Sequence, residues 1–596
     1  MTLKRVVSVF LFLLPFIVYP GAIDVSLVPK LLFFGVSLII ISLWLHKEIR
    51  RLFPIILYNN RVYPILLLYL IVAFISFKVG LNKKEVLFEF IKIVFFTSCA
   101  FVLTVLFIKE KDFIYSLKKT IQKSLLLLSA VSLVILFFGS SFQYFTEIGE
   151  LTLLSSKNLL ASGLLLMLPF ALVDVKGKQF LAISSAILAI TTIFLLGARA
   201  AIIALLCMTP FTLFFNKDTL KMIKNKSVYV GGSIVLLFAT LVVLWQGWHH
   251  SMFQKLLSSN SIMERWQLWK NSIAIIEDSP LFGIGLGNWK IMFPKYGLGA
   301  MVREAQQGTI HYQRPHNDFI WVWTEMGLLG FLAYLGLFAS TAFYAVKLII
   351  RKVASSRLIK HLLLGIIGFF VVSCFSFPKE RVFHLCFFAL YVAIIGSEWH
   401  RNNKYKRIAN ASSHIITNVM VTGAIVTCVS IGFCRISSEV KTRKALAVEG
   451  KGQYPKANVM LYKANNYAFS MDYASTPLYF YSAINLFKIN RLDEGMRDLE
   501  KAYLDHPYHI HILNNLGSCY QTKGNSLKAI EYYNRALKIS PNFNDCLLNL
   551  GVVYFQMGDY QKAMQIWESF KPFIHEKNQK RLTLIEQAKQ KQNVLK

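Results

Sequence analysis

Apolar runs separated by short polar segments fill roughly the first three quarters of the chain. An α-helix needs about 20 apolar residues to cross the roughly 30 Å of hydrocarbon in a bilayer. The pattern predicts about thirteen spans, with a margin of one because the two runs beside Gly197 also fit a single re-entrant hairpin. The predicted spans are 4–20, 27–45, 62–78, 86–108, 122–139, 158–174, 180–196, 199–215, 228–246, 319–346, 359–376, 383–398 and 413–434.

The basic residues predict the orientation of these spans. With the N-terminus in the cytoplasm, the segments carrying Lys4, Arg50 and Lys118 face inward, and they hold far more Lys and Arg than the short loops opposite. This asymmetry follows the positive-inside rule. An odd number of spans then places the long loop 247–318, and everything after Cys434, outside the cytoplasm.

The long loop contains one amphipathic pattern. Trp266, Trp269, Ile273 and Ile276 recur at helical spacing, which predicts a helix lying along the membrane surface.

The C-terminal region repeats itself with a period of 34 residues, typical of tetratricopeptide repeats. The matching residues are Leu513, Leu516, Gly517, Tyr520, Ala529, Tyr533, Ala536 and Pro541; then Leu547, Leu550, Gly551, Tyr554, Ala563 and Trp567; and, more weakly, Tyr479, Ala483, Ala502 and Pro507. We expect an all-α chain: a membrane helix bundle of about 12–14 spans over 1–435, a linker or degenerate capping repeat over 436–477, a repeat solenoid over 478–580 and a charged tail over 581–596. Such repeats usually bind proteins, so the solenoid predicts a protein partner.

Composition and charge agree with a membrane protein. Charged residues make up 16% of the chain, against about 25% in soluble domains. The net charge of +33 would suit nucleic acid, but many basic residues lie in the linkers between spans, so we expect membrane lipid and no nucleic acid as a partner. The eight cysteines form no CxxC pair and no Cys/His cluster, which argues against a zinc site or a disulfide framework.

The richest polar cluster lies just before a predicted span. The stretch 311–318 contains Arg314, His316 and Asn317, and the apolar run 319–346, with Glu325 about two turns along it, follows at once. His316 is thus placed at a helix N-terminus, which suits a phosphate group. The alternative is that Asn317 is an ordinary helix-start residue and that His316 is simply solvated.

Two arginines are further candidates, since a guanidinium fits phosphate oxygens. Arg199 lies between two apolar runs, where it binds an anion or reaches the lipid headgroups. Arg265 begins the amphipathic helix, where a surface salt bridge is the simpler interpretation. Lys379 and Arg381, in a short outer loop, are weaker candidates. The glycine-rich stretch 283–287 lacks the βαβ context of a dinucleotide site.

Together these motifs resemble the O-antigen ligase family, which includes O-antigen polymerases and bacterial protein O-oligosaccharyltransferases. The resemblance covers roughly 1–435 and rests on the Arg-Pro-His-Asn-Asp-Phe segment 314–319 with the glycines behind it. The turn at Arg199, the Arg265-Trp266 pair and the stretch 283–287 add to it.

The resemblance implies a GT-C-like bundle in the bacterial inner membrane and a role in lipopolysaccharide or polysaccharide biosynthesis. The expected reaction moves a glycan from an undecaprenyl-diphosphate carrier to an acceptor hydroxyl, without a metal or other cofactor. His316 corresponds to the family's catalytic histidine and Arg199 and Arg265 to its diphosphate-binding arginines. The neighbouring polar residues that we expect to support them are Arg314, Asn317, Glu325, Lys379 and Arg381.

The acceptor stays open at this point, because a lipid A core, a growing glycan chain and protein Ser or Thr side chains all fit. From another functional class, a transporter or a membrane scaffold that recruits proteins through its repeats is the alternative. The spans show no repeated halves of the kind that many transporters carry.

Overall fold

The computed structural model describes residues 3–138, 156–173, 179–215, 259–403, 415–570 and 575–595. These residues form helices, short 3-10 turns and two isolated β-bridges. The predicted all-α fold class is therefore confirmed. The chain divides into two compact units: Met1–Ile75, Phe88–Asn260 and His316–Ile436 make up the first, and Ser76–Leu87, Ser261–Pro315 and Ser437–Lys596 the second.

Nine described helices precede the long loop. They are α1 (Leu3–Leu13), α2 (Leu27–Trp44), α3 (His46–Asn59), α4 (Val62–Val79), α5 (Lys83–Lys109), α6 (Phe113–Phe138), α7 (Lys157–Leu172), α8 (Phe180–Leu195) and α9 (Arg199–Phe215). Within the loop lie α10 (Ser259–Asp278), α11 (Trp289–Met292) and α12 (Arg303–Gln306), and after it α13 (Asp318–Ile350), α14 (Ser356–Phe375), α15 (Val382–Arg401) and α16 (Ile415–Glu449).

Eight of these helices are long and apolar enough to cross a membrane, namely α2, α4, α5, α6, α13, α14, α15 and α16. Helices α7, α8 and α9 are apolar but shorter. Helix α1 has 11 residues, fewer than a span needs, and the predicted span 228–246 lies outside the described residues. The sequence analysis did not predict α3, because its mixed polar and apolar residues are typical of a segment that links two spans.

Stacked phenylalanines pack the centre of the first unit, where α13, α14 and α15 meet. The ring of Phe338 lies 4.9 Å from that of Phe388 and 5.7 Å from that of Phe369, measured between centroids. Phe369 and Phe388 complete the triangle at 5.0 Å. Stacked and tilted aromatic pairs are favourable beyond the area they bury, so these rings fix the helix that follows His316 against its neighbours.

The C-terminal helices form the antiparallel pairs expected of a tetratricopeptide solenoid. After α17 (Tyr454–Ala464) come α18 (Leu478–Lys488) with α19 (Leu492–Asp505), α20 (Ile510–Thr522) with α21 (Ser526–Ile539), and α22 (Asn544–Gln556) with α23 (Tyr560–Glu568). The last helix, α24 (His575–Leu595), includes most of the segment predicted as a charged tail. Helix α16 continues to Glu449, well past the end of the predicted span at 434.

Small residues allow the two helices of a repeat to cross closely. A Cβ atom on Gly551 would lie 2.1 Å from Nε1 of Trp567, and one on Gly517 would lie 2.7 Å from Cε1 of Tyr533. Both aromatic side chains are fully buried. The 34-residue spacing of these glycines therefore reflects two equivalent helix crossings.

The described part of the loop before His316, residues 259–315, is arranged around α10. Leu268, Ser272 and Ile275 form the buried face of this helix, whereas Trp266 and Ile273 are exposed. The predicted apolar stripe is therefore divided, since only Ile276 of its four residues is buried and Trp269 is half-buried. Trp266 and Ile273 are exposed and so available to a membrane surface. The placement of α10 along that surface stays a prediction.

The glycine-rich stretch of the loop packs on the segment 76–87. Gly285 has φ +90°, and a Cβ atom there would lie 2.4 Å from Cα of Gly80. Only glycine fits such a left-handed, crowded position. These glycines thus serve a close backbone contact.

Candidate active site

His316 lies at the start of α13 in an unusual backbone conformation. Its φ is +56°, a left-handed value that costs a non-glycine residue on the order of 1–3 kcal/mol. Its half-buried ring stands edge-on to Phe377, with centroids 5.1 Å apart. Strain of this kind persists only where the surroundings enforce it, and it is concentrated at functional positions.

The residues on either side of His316 explain this local structure. Asn317 is the N-cap of α13, where its side-chain oxygen accepts hydrogen bonds from the amides of Phe319 and Ile320 at 2.9 and 3.1 Å. An asparagine cap satisfies amides that the first turn leaves unpaired. Asn317 therefore sets the direction of the helix and fixes the residue next to the histidine.

Helix α13 is interrupted beside the predicted Glu325. Gly327 has φ +66° and ψ −170° inside the helix, so the continuous helix expected over 319–346 is wrong at this point. Glu325 is fully buried just before the break. A break inside a membrane helix frees backbone polar groups, which proteins tolerate where these groups are covered or line a site.

Lys379 joins three residues of the broken helix. Its Nζ lies 3.8 Å from Oε2 of Glu325 and 3.6 Å from the centroid of the Trp321 ring. Its backbone amide donates to Oδ2 of Asp318 at 3.0 Å. The structure thus brings together two residues predicted to support the site, Lys379 and Glu325, next to the first turn after His316.

Arg381 binds Asp24, a residue that the sequence analysis did not select. Its guanidinium lies 2.5 Å from Oδ2 of Asp24 and 3.7 Å from Oε1 of Glu380. Burial disfavours the Asp24 carboxylate, but Arg381 and the backbone amides of Ser26 and Leu27 outweigh it and lower the pKa of Asp24 to about 2. The ion pair is therefore formed throughout the physiological pH range.

Two buried lysines extend this charged region. Lys92 lies 2.6 Å from Oε1 of Glu89 and donates to the carbonyl of Glu380 at 3.4 Å. Lys30 donates to the carbonyl of Ile17 at 2.7 Å. Charged residues within membrane helices are costly and are therefore functional candidates, and a charge in an otherwise apolar run is the signal that could have identified Lys92.

Arg199 occupies the first position of α9, directly after a turn at Gly197 with φ +60°. The side chain is half-buried. The turn explains why the apolar stretch divides into two helices here. That Arg199 acts together with His316 stays a prediction.

Arg265 and Arg314 belong to the second unit. Arg265 is half-buried on α10, and Arg314 is 6% exposed, with its guanidinium 3.4 Å from the hydroxyl of Tyr473. Their action beside His316 also stays a prediction. Among the described residues, no group of three His, Cys, Asp or Glu side chains is arranged to hold a metal ion.

Family comparison supports two parts of this architecture. Residues 184–335 match the family model described as O-Antigen ligase, and residues 511–543 and 545–571 match models of the tetratricopeptide repeat. The chain therefore carries a segment that matches the O-antigen ligase family model and includes Arg199, Arg265 and His316, followed by tetratricopeptide repeats. These matches identify an O-antigen ligase-type segment and tetratricopeptide repeats in one chain.

Individual relatives are more distant. An uncharacterized protein of Haemophilus influenzae is 24% identical over 173 residues, which cover 27% of this chain and 42% of that protein. BBSome complex member BBS4 of Bos taurus is 44% identical over 50 residues, covering 8% of this chain and 10% of that protein. The chain thus spans less than half the length of the curated relatives it matches.

Solved structures that resemble part of the chain include MamA and YrrB. A crystal structure of MamA is 18% identical with a TM-score of 0.19, covering 26% of this chain and 78% of that one. A structure of YrrB, described as a TPR protein with an unusual peptide-binding site, is 16% identical with a TM-score of 0.22, covering 29% and 82%.

Proposed function

We propose that this protein transfers a glycan from an undecaprenyl-diphosphate carrier to an acceptor hydroxyl on the outer side of the bacterial inner membrane. The observation that carries the proposal is His316, held in a left-handed conformation at the start of a membrane helix, within the segment that matches the ligase family. The transporter alternative does not account for the ligase-family match around this residue.

His316 is assigned as the general base. The acceptor oxygen attacks the anomeric carbon while its proton passes to the imidazole of His316. The bond between the anomeric carbon and the diphosphate oxygen breaks, and its electron pair leaves with the lipid diphosphate. Direct displacement inverts the anomeric centre. An imidazole suits this role because its pKa is ordinarily near neutrality.

Arg199 and Arg265 are assigned to the departing diphosphate. Two guanidiniums and the amides at a helix start offer donors to the charge that develops as the bond breaks, and one such donor typically contributes about 10²–10³ in rate. This charge stabilisation needs no metal.

The buried ion pairs are assigned a supporting role. Lys30, Lys92, Lys379 and Arg381 lie in a region that also contains carboxylates, including Asp24, Glu89 and Glu325. Because their charges largely balance, this region holds the ends of the helices in place and cannot by itself attract a diphosphate. We assign Glu325, Lys379 and Arg381 to supporting the helix of His316, with Asn317 as its cap and Arg314 on the preceding loop.

The acceptor is a lipid A core, a glycan chain or a protein hydroxyl, and the repeats add a protein partner to the glycan and lipid substrates. If the acceptor is a protein, the repeats have a direct role, because they bind that acceptor. A glycoprotein fraction that disappears on deletion of the gene identifies it.

Transfer by the purified protein tests the site. We expect His316→Ala to lower kcat by about 10²–10⁴, and Arg199→Ala and Arg265→Ala by about 10²–10³ each, in an assay with an undecaprenyl-diphosphate glycan and the candidate acceptors. Lys270→Ala, an exposed position on the same helix as Arg265, is the matched control and retains activity. Wild-type transfer by His316→Ala would refute the assignment.

A further inference from the structure

The loop that leads to His316 is bound by the repeats of its own chain. Two consecutive glutamines, Gln306 and Gln307, form hydrogen bonds with the turn between α21 and α22. The side chain of Gln307 donates to the carbonyl of Asn542 at 2.6 Å and accepts from the amide of Asn544 at 3.2 Å. Gln306 accepts from Asn542 Nδ2 at 2.9 Å through its side chain, and from Ser540 Oγ at 2.7 Å through its carbonyl. The turn is thus recognised through both backbone and side-chain groups.

A cluster of four histidines forms the next contact. Nε2 of His511 lies 3.2 Å from the carbonyl of Gly308. The ring of His311 from the loop stacks on His509 of the repeats, with centroids 4.8 Å apart, and His506 stands edge-on to His509 at 5.3 Å. His506 and His509 are almost fully buried, and neither ring nitrogen of His509 has a hydrogen-bond partner.

The contact continues to the last residues of the loop. Ser475 donates to the side chain of Gln313 at 2.8 Å, and Arg314 approaches the hydroxyl of Tyr473. As the loop runs forward, its partners run backward along the C-terminal region, from 542 through 511 and 509 in the repeats to 475 and 473 in the segment before them. This antiparallel order is that of an extended peptide laid along the array, so several repeats share in binding it.

We propose that the repeat array holds the loop 298–314 of its own chain as a ligand and thereby positions His316. The inference rests on the proposed function. Pro315, bonded directly to His316, accepts a 2.8 Å hydrogen bond from the indole of Trp269. The loop is therefore fixed up to the residue before the histidine, and Gln306, Gln307 and Asn542 are positioning residues that do not touch the substrate.

The histidine cluster makes this contact sensitive to pH. Burial, helped by the neighbouring His511, lowers the pKa of His311 to about 4, and burial with His311 and Lys290 lowers that of His506 to about 3. Burial also lowers the pKa of His511, which faces Asp545 and Lys577, and that of His509. Imidazoles released from the contact take up protons below about pH 6.5 while the bound ones do not, so the contact weakens as the pH falls.

Substitutions at the turn test the positioning role in the full-length protein reconstituted with donor and acceptor. We expect Gln306→Ala and Asn542→Ala each to lower kcat about tenfold with little change in the KM for donor, and the double variant to be no worse than either single variant. Gln587→Ala, exposed on α24, is the control. Wild-type kcat in both single variants, with His316→Ala inactive, would overturn the positioning role and leave the proposed function standing.

Two further variants separate positioning from folding. His509→Phe keeps the ring stack but cannot bind a proton, so we expect its activity relative to wild type to rise as the pH falls from 7 to 5.5; an unchanged ratio contradicts the role of the cluster. A Gly299→Cys/Pro541→Cys pair in a Cys207→Ser background places two thiols side by side, since a Cβ on Gly299 would lie 3.5 Å from Pro541 Cδ. Joining the two thiols with a short reducible bifunctional reagent should leave transfer intact. Loss of transfer on cross-linking, reversed by a reductant, would show that the bound loop is not the active state.

Discussion

The pair of Asp24 and Arg381 carries the strongest prediction at the residue scale. Both side chains are nearly buried, and their atoms lie 2.5 Å apart. Removing one partner of such a pair leaves the other charge without its counterion, which typically costs about 3–5 kcal/mol. We expect Asp24→Asn to lower the thermal unfolding temperature of the purified protein markedly, measured by intrinsic fluorescence.

The control for this substitution is the exposed pair of Asp493 and Lys523, 2.7 Å apart. Asp493→Asn should leave the unfolding temperature almost unchanged, because solvent screens exposed pairs. The folded-state pKa of Asp24, about 2, lies below its unfolded value of about 3.9. Its contribution is therefore complete above pH 4 and lost only as the pH falls toward 2. Equal unfolding temperatures for Asp24→Asn and Asp493→Asn would contradict a buried ion pair.

The helix pairs of the repeats give a prediction at the scale of elements. Gly551→Ala places a methyl group against the buried Trp567 indole, an overlap that the rigid ring cannot relieve. Overpacking of this kind costs about 1–3 kcal/mol. Because Gly551 lies where α22 crosses α23, we expect faster proteolysis of the last repeat in Gly551→Ala.

Gly450→Ala is the matched control, because a Cβ atom there meets only ordinary contacts at 3.6 and 3.7 Å. Its proteolysis rate should equal that of the wild type. A Gly551→Ala protein that resists protease as well as the control would mean that α22 and α23 do not cross as closely as described.

Periodic features were predictable at this scale, and charge partnerships were not. The 34-residue spacing of Gly517 and Gly551 predicts the repeats because each repeat buries the same crossing. Apolar runs predict the spans because length and hydropathy are local properties. No local rule pairs Arg381 with Asp24, which are 357 positions apart, or joins Gln307 to the turn at Asn542. The break at Gly327 was also not predictable from the sequence, since a glycine alone does not distinguish a packed helix from an interrupted one.

At the scale of the whole molecule, basic residues concentrate in segments on one predicted side of the membrane, and the loop 247–318 and the repeats are predicted to lie on the other side. The proposed reaction depends on this arrangement, because His316 and Arg265 must face the same side as the carrier-linked glycan. Residues Ser261–Pro315 of the loop and the repeats belong to one compact unit, which agrees with the prediction that they lie on the same side of the membrane.

Labelling of single cysteines with a membrane-impermeant maleimide tests this orientation. Leu527→Cys on α21 and Tyr58→Cys on α3 create equally accessible thiols, since these residues are 77% and 81% exposed; both variants also carry Cys207→Ser to remove an exposed native thiol. The positive-inside rule predicts that right-side-out vesicles label Leu527→Cys and that inverted vesicles label Tyr58→Cys. The opposite pattern would place the repeats in the cytoplasm and contradict the proposed reaction on the outer side. Labelling of both from one side would require an even number of spans between α3 and the repeats. Because eleven spans are predicted between α3 and the repeats, that outcome would also show that one of them, such as 228–246, does not cross the membrane.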